Sequence, residues 1–184
     1  FITRGFKDLL IIGDQKRPNL FDLKINKPKQ LTKNVIEINE RMNSMGEPIC
    51  DVNLPDIDPP SHENQSAAIV FLNSYRNPIH EQKLLNHLLK SGWHHVSIST
   101  DLAQVIKVLP RAETTVVDAY LAPIMNRYLN AVNQHIKREK LHIMTSAGGL
   151  VSRNDYRSKD SLLSGPAGGV VGAAFFGEQA GYNK

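Results

Sequence analysis

The residues most suited to chemistry form a glycine-rich stretch, Gly165-Pro-Ala-Gly-Gly169, between Ser161-Leu-Leu-Ser164 and a run of small apolar residues from Val170 to Ala180. Glycine lets the backbone approach a ligand closely, and the first free N–H groups of a following helix point at an anion. The pattern predicts a strand, a glycine turn and a helix that Gly181 ends. Gly165, Ala167, Gly168 and Gly169 are the candidate ligand-facing positions. The helix dipole adds only about 0.3–1 kcal/mol for an exposed charge, so N–H contacts would do most of the holding. The alternative is a helix that needs small residues to pack closely on a sheet. The stretch is neither Gly-x-Gly-x-x-Gly nor a Walker loop, because no Gly-Lys-Ser/Thr follows. A second glycine turn, Ser146-Ala-Gly-Gly149, leaves the tip of a predicted strand, and Ser146, Gly148 and Gly149 are candidates there.

Other polar residues carry two readings each. His80-Glu81 is an acid–base or metal pair, or simply an exposed helix start, since the zinc spacing His-Glu-x-x-His is missing. Asp118 sits within apolar Thr115-Val-Val-Asp-Ala-Tyr-Leu121, where burial requires a partner. It is a substrate contact or a helix-capping contact. The loop Asp14-Gln-Lys-Arg-Pro18 offers Asp14 and Arg17 to an anionic substrate, or is plain solvent-exposed chain. Adjacent His94 and His95 in a strand face opposite ways and cannot chelate one ion together. Cys50 has no basic activator nearby in sequence and reads as an incidental thiol. No metal site is predicted.

The elements that must position these residues alternate between strand and helix. Arg4–Ile12 reads as a short helix and 34–42 as a half-buried strand. Residues 43–65, rich in Pro, Asn, Asp and Ser, read as an irregular connection. Ala67–Leu72 is a continuous apolar run, as a buried parallel strand requires. A helix over Ile79–Lys90 and a strand over His94–Ser99 complete a βαβ unit. Asp101–Pro110 is ambiguous. Thr114–Lys140 is the longest helical pattern, with a kink or a break expected at Pro123. Leu141–Thr145 is a strand. The class is α/β, and ligands in such sheets favour loops beyond the strand carboxyl ends.

The 184 residues allow one domain or two small ones, and the net charge of +4 is mild. The densest basic run, Lys24–Lys33, lacks aromatics and contains Pro28, which argues against nucleic acid. No apolar run approaches the ~18–20 residues that span a bilayer. A single cysteine cannot form an internal disulfide, so a reducing cytoplasm is expected. Phe1 and Lys184 both look like cut ends, and a piece of a longer polypeptide is expected.

Several segments, in order, resemble the hydantoinase/oxoprolinase family. They are Thr3–Leu10, Ile12–Leu23, Ser74-Tyr75 with His80-Glu81, Thr114–Pro123, Met144–Leu150 and Leu163–Ala173. Asp118-Ala-Tyr-Leu-Ala-Pro123 and Gly92–Ser99 lean toward the 5-oxoprolinase side. The resemblance implies an actin-like (ribonuclease H-like, sugar-kinase-like) ATPase core, of which this chain would be a part with βαβ units. Residues 1–110 would end the N-terminal region, and 111–184 would begin the ATPase domain. The implied activity is ATP- and Mg²⁺-dependent opening of a cyclic amide, 5-oxoproline or a hydantoin, by phosphorylation of its carbonyl oxygen. Gly165–Gly169 would border the nucleotide cleft, with Ser146–Gly149 near it. The resemblance supplies no catalytic base. Two Asp-x-Gly-Gly-Thr phosphate loops normally bracket this region, and neither occurs in the sequence. This stretch alone should therefore not hydrolyse ATP. The family also admits a hydantoinase B-like subunit or domain as partner and an oligomer at full length. Alternatives are the ATPase subunit of an acetone-type ketone carboxylase and, in another class, a non-catalytic assembly module.

Overall fold

The computed structural model describes residues 1–14, 19, 21–25, 27–136 and 141–182. Two compact units divide the chain, Phe1–Tyr120 and Leu121–Lys184.

In the first unit, β1 (Ile2–Thr3) pairs in parallel with β2 (Glu37–Ile38), and β5 (Ala67–Ile69) pairs in parallel with β6 (Val96–Ile98). A parallel bridge between Ile2 and Val70 sets β1 beside the end of β5. The lateral order β2, β1, β5, β6 means that the chain leaves β1 toward one side and later returns to the other. Such a reversal is where open α/β sheets bind ligands, outside the carboxyl ends of the strands.

Helix α2 (Ile79–Lys90) spans the predicted residues. Asn77 Oδ1 accepts from the Ile79 N–H at 3.1 Å and satisfies one of the helix's first free donors. At the other end Gly92, with φ +88°, lets the Trp93 N–H reach back to the Leu88 carbonyl at 3.1 Å. Leu84 and Leu88, one turn apart, are fully buried against Ile38, Ile69, Phe71, Trp93 and Ile98. Each contributes about 2 kcal/mol by burial.

Several sequence expectations change. Helix α1 covers only Leu9–Ile12, after turns. The strand expected over 34–42 is interrupted at Asn39–Glu40 and resumes as β3 (Arg41–Met42). The supposedly irregular 43–65 segment contains β4 (Pro48–Cys50), antiparallel to β3. Its turn is built by Asn43, whose Oδ1 accepts from the Met45 and Glu47 N–H groups at 2.9 Å each, with Gly46 at φ +87°. The ambiguous 101–110 region holds the end of α3 (Ser99–Leu102) and the start of α4 (Val108–His135). Helix α4 starts six residues before the predicted Thr114, and Arg111 and Ala112 in its first turn are buried. Tertiary burial there overrides a weak local signal. Pro123 lies within one continuous helix rather than between two.

In the second unit, β7 (His142–Met144) forms a hairpin with β8 (Leu150–Ser152), a strand the sequence pattern does not reveal. No strand runs directly into the glycine stretch, because Ser158–Ser161 there is a 3-10 turn. Helix α5 (Ser164–Gln179) follows, so Gly165–Gly169 form its first turns rather than a loop before it. Leu163, at φ +59°, makes the sharp entry. No described helix is long and apolar enough to cross a membrane.

Candidate functional site

A buried polar cluster occupies the carboxyl ends of β1, β2, β5 and β6. Thr3 ends β1, Glu40 lies two residues past β2, Ser74 follows β5, and Ser99 follows β6; all four are buried. Glu40 is inward because Ile38, Glu40 and Met42 alternate on one face of the chain. One Glu40 oxygen accepts from the Thr3 hydroxyl, and the other lies 2.8 Å from His80 Nδ1. Thr3 Oγ1 in turn accepts from the Leu72 N–H at 2.9 Å. The far ring nitrogen of His80 lies 3.3 Å from Asp51 Oδ1, within ion-pair distance but without hydrogen-bond geometry. Asp51 is on the surface and accepts from Lys83 Nζ at 2.7 Å. That bond, and then the Val52 N–H, hold its carboxyl below the ordinary range.

Beside this chain of contacts stands a second one. Glu81 takes the Phe71 N–H at 2.9 Å, the Ser99 hydroxyl at 2.6 Å and the Thr100 N–H at 3.1 Å. Arg111, from α4, is fully buried. Its Nη1 donates to the Ser74 hydroxyl and, at 3.0 Å, to Ser99 Oγ. Its Nη2 donates to the Phe71 carbonyl at 2.7 Å. Glu81 is the nearest counter-charge, 3.9 Å away, and the Tyr75 ring lies 5.9 Å from the guanidinium carbon. Burial lowers the Arg111 pKa, while Glu81 and then Tyr75 oppose the shift. Lower on the same face of α4, Asp118 is buried and accepts from Ser97 Oγ at 2.7 Å. A β6 hydroxyl is thus one partner of this buried carboxylate.

His80 and Glu81 do not lie at an exposed helix start; both are buried. They face separate partners, because residues adjacent in a helix project about 100° apart. Sequence reasoning found His80, Glu81 and Asp118 but missed Glu40, Ser99 and Arg111. The readable signal for Glu40 was a carboxylate at an inward position of an alternating strand. Asp14 is exposed, and Arg17 lies outside the described residues.

In the second unit the two glycine stretches meet. A Cβ on Gly148 would come within 3.2 Å of Val171 Cγ2, and one on Gly168 within 3.4 Å of Met144 Cγ. The α5 face at Gly168 therefore rests on β7, and the hairpin turn lies against Val171. Ser146 N–H donates to the Asp160 carbonyl at 2.9 Å, which ties the turn to the segment entering α5. Gly165 and Gly169 meet nothing within 4 Å and are exposed. Helix α5 has no side-chain cap, and its first backbone bond runs from Ala167 N–H to the Leu163 carbonyl. Pro166 has no N–H, so the Ser164 and Gly165 N–H groups are the donors without an intrahelical acceptor.

Residues 1–92 match the hydantoinase/oxoprolinase N-terminal region, and residues 111–184 match the hydantoinase/oxoprolinase family. The 5-oxoprolinase of Saccharomyces cerevisiae is 36% identical over 205 residues, covering 92% of this chain and 16% of that protein. The acetone carboxylase beta subunit of Xanthobacter autotrophicus is 28% identical, covering 85% of this chain and 23% of that subunit. The crystal structure of the ATP-dependent caprolactamase from Pseudomonas jessenii superposes with a TM-score of 0.70 at 26% identity, over 96% of this chain and 28% of that one. This chain thus spans about a sixth of the 5-oxoprolinase. On these matches it belongs to the hydantoinase/oxoprolinase family.

Proposed function

We propose that this chain is part of an ATP-dependent amidohydrolase that opens a cyclic amide, with 5-oxoproline or a hydantoin as substrate. The observation that carries the reading is family membership combined with likeness to a 5-oxoprolinase and to an ATP-dependent caprolactamase. ATP supplies phosphoryl activation of the amide carbonyl oxygen, so that water can open the ring. In this reading the core is actin-like, residues 1–110 belong to the N-terminal region, and residues 111–184 begin the ATPase domain.

The described residues fit one edge of a nucleotide site. The open Ser164 and Gly165 N–H groups suit a phosphate oxygen. The absence of a Cβ at Gly165 and Gly169, where nothing else fills the space, leaves room for close approach. Ala167 and Gly168 in the first turns of α5, with Ser146, Gly148 and Gly149 in the hairpin turn, belong to the same proposed nucleotide side. Among the described residues no group of three His, Cys, Asp or Glu could hold a metal ion, so no step is assigned to Mg²⁺. Asp118, with Asp14 and Arg17, is proposed on the substrate side. A hydantoinase B-like partner, an oligomer and a cytoplasmic setting belong to the same proposal.

Full-length protein incubated with ATP and 5-oxoproline, N-methylhydantoin, caprolactam, or acetone with bicarbonate tests the reading. Glutamate formation selects 5-oxoproline. Carboxylated acetone selects the second reading, an ATPase subunit of a ketone carboxylase, which the acetone carboxylase likeness favours. Turnover of none of these, with ATP left intact, supports an assembly module instead. Residues 1–184 alone, which lack both Asp-x-Gly-Gly-Thr loops, should bind ATP more weakly than micromolar by calorimetry. Micromolar binding would contradict that account.

A further inference from the structure

Arg111 spans the carboxyl ends of two parallel strands. Through Ser74 Oγ and the Phe71 carbonyl it holds the segment leaving β5, and through Ser99 Oγ it holds the segment leaving β6. Glu81, from α2, grips the same two segments by the Phe71 N–H, the Ser99 hydroxyl and the Thr100 N–H. The segment leaving β5 borders the place where the strand order reverses between β1 and β5, the expected ligand position of an open α/β sheet, and the segment leaving β6 is the next strand end beside it. Stability alone is a poor account of this arrangement. Buried ion pairs are often replaceable by packed apolar residues without loss. This one also leaves the Arg111 Nε–H and the Thr100 hydroxyl buried with no hydrogen-bond partner. Asn73, in the β5 segment, is held in the left-handed region at φ +58°. A cluster that keeps unsatisfied donors and an uncommon backbone conformation at the ligand end of a sheet points to fixed geometry as its purpose.

We infer that Arg111 is a positioning residue: acting through Ser74 and Ser99, it locks the two strand-end segments into the geometry that the ring-opening step requires. This rests on the proposed amidohydrolase function. The charged network fixes the loops before substrate arrives, and a displacement of about 1 Å at that range is enough to lower turnover by roughly a hundredfold. Lysine reaches with one point charge where arginine offers a planar fork, so Arg111→Lys preserves charge but has no second nitrogen to hold the Phe71 carbonyl while the first holds the two hydroxyls.

The test compares full-length wild type, Arg111→Met, Arg111→Lys and Leu88→Ala. Leu88 is equally buried but lies in the apolar core. Measurements are kcat and KM for the cyclic amide that wild type opens, and the melting temperature of each protein. Arg111→Met should lower kcat roughly a hundredfold, Arg111→Lys should recover part of it, and Leu88→Ala should melt earlier yet keep its kcat. Activity losses that follow the melting temperature alike in Arg111→Met and Leu88→Ala overturn the inference. If Arg111→Met does not fold, the Ser74→Ala and Ser99→Ala pair decides. Reduced kcat in both at unchanged melting temperature upholds the lock, and wild-type kcat in both overturns it. A wild type that opens no cyclic amide defeats the proposed function, and the inference with it. An active wild type beside an unimpaired Arg111→Met defeats the inference alone.

Discussion

The two units handle polar and small residues in opposite ways. In Phe1–Tyr120 the carboxylates, hydroxyls and guanidinium at the strand ends are sealed away and spend their hydrogen bonds on one another. In Leu121–Lys184 helix α5 has no buried residue, and glycines stand where a methyl group would touch nothing. Electrostatics is strong where water is absent, so the first arrangement fixes geometry, at the risk of collapse if one member is lost. The second leaves backbone open and costs helix stability, since each interior glycine is worse than alanine by about 0.5–1 kcal/mol. One region is organised to hold still and the other to leave room.

The contrast breaks most visibly at Glu81. Glu81→Ala strips three donors of their acceptor and leaves the Arg111 cation buried beside no carboxylate. A loss of about 3–5 kcal/mol is expected. In thermal unfolding this corresponds to a drop of roughly 10 °C or more for a chain of this size. A melting temperature within a degree or two of wild type would mean that the cluster is not the lock described.

Glycines in the second unit separate into two kinds, and substitution distinguishes them. Gly148 has φ +80° and only 3.2 Å to Val171 for an added Cβ, so Gly148→Ala should destabilise by roughly 1–3 kcal/mol. Gly169 lies inside α5 with empty space around it, so Gly169→Ala should stabilise by about 0.4–1 kcal/mol. If Gly169 borders a phosphate, the same change in full-length protein should weaken ATP turnover while raising the melting temperature. Opposite movement of the two readouts sharpens the idea that this surface trades stability for access. Parallel gains in both would show that the glycine is idle.

How much of this was visible in the sequence depended on distance along the chain. Helix α2 was legible to its ends because Leu84 and Leu88, Pro78 and Gly92 are local signals in one short stretch, residues 78–92. The run from Ala67 likewise announced a buried parallel strand. The hairpin strands β4 and β8 were hidden because each is three residues long, too short for alternation to register. The polar cluster was half hidden for a different reason. His80, Glu81 and Ser74 could be singled out, but Thr3 meets Glu40 across 37 positions and Arg111 meets Ser74 across the same span. No periodicity encodes such a choice of partner; it is set by which strand ends the sheet brings together. The start of α5 was misjudged because Gly-Pro-Ala-Gly-Gly reads locally as a turn, yet Pro166 falls within the first helical turn, where its missing N–H costs nothing.

The smallest expected effect lies at the edge of the sealed region, where its contacts reach water. Asp51 faces His80 on the inner side and Lys83 on the outer, and it is itself exposed. Its carboxyl is held low in the folded chain, chiefly by the Lys83 hydrogen bond and then by the Val52 N–H. The unfolded chain therefore binds this proton more readily. The contribution is present above the ordinary aspartate value and is lost as pH falls below it toward the folded one. Lys83→Met removes the largest cause and leaves the Val52 bond, so the acid limb of a stability–pH curve should become shallower below about pH 4. High salt should shrink the difference between the two proteins, because an exposed pair is screened. An identical acid limb in both would assign the low Asp51 carboxyl to the Val52 amide alone. A limb that steepens instead would mean that Lys83 shields Asp51 from a stronger interaction with the buried His80.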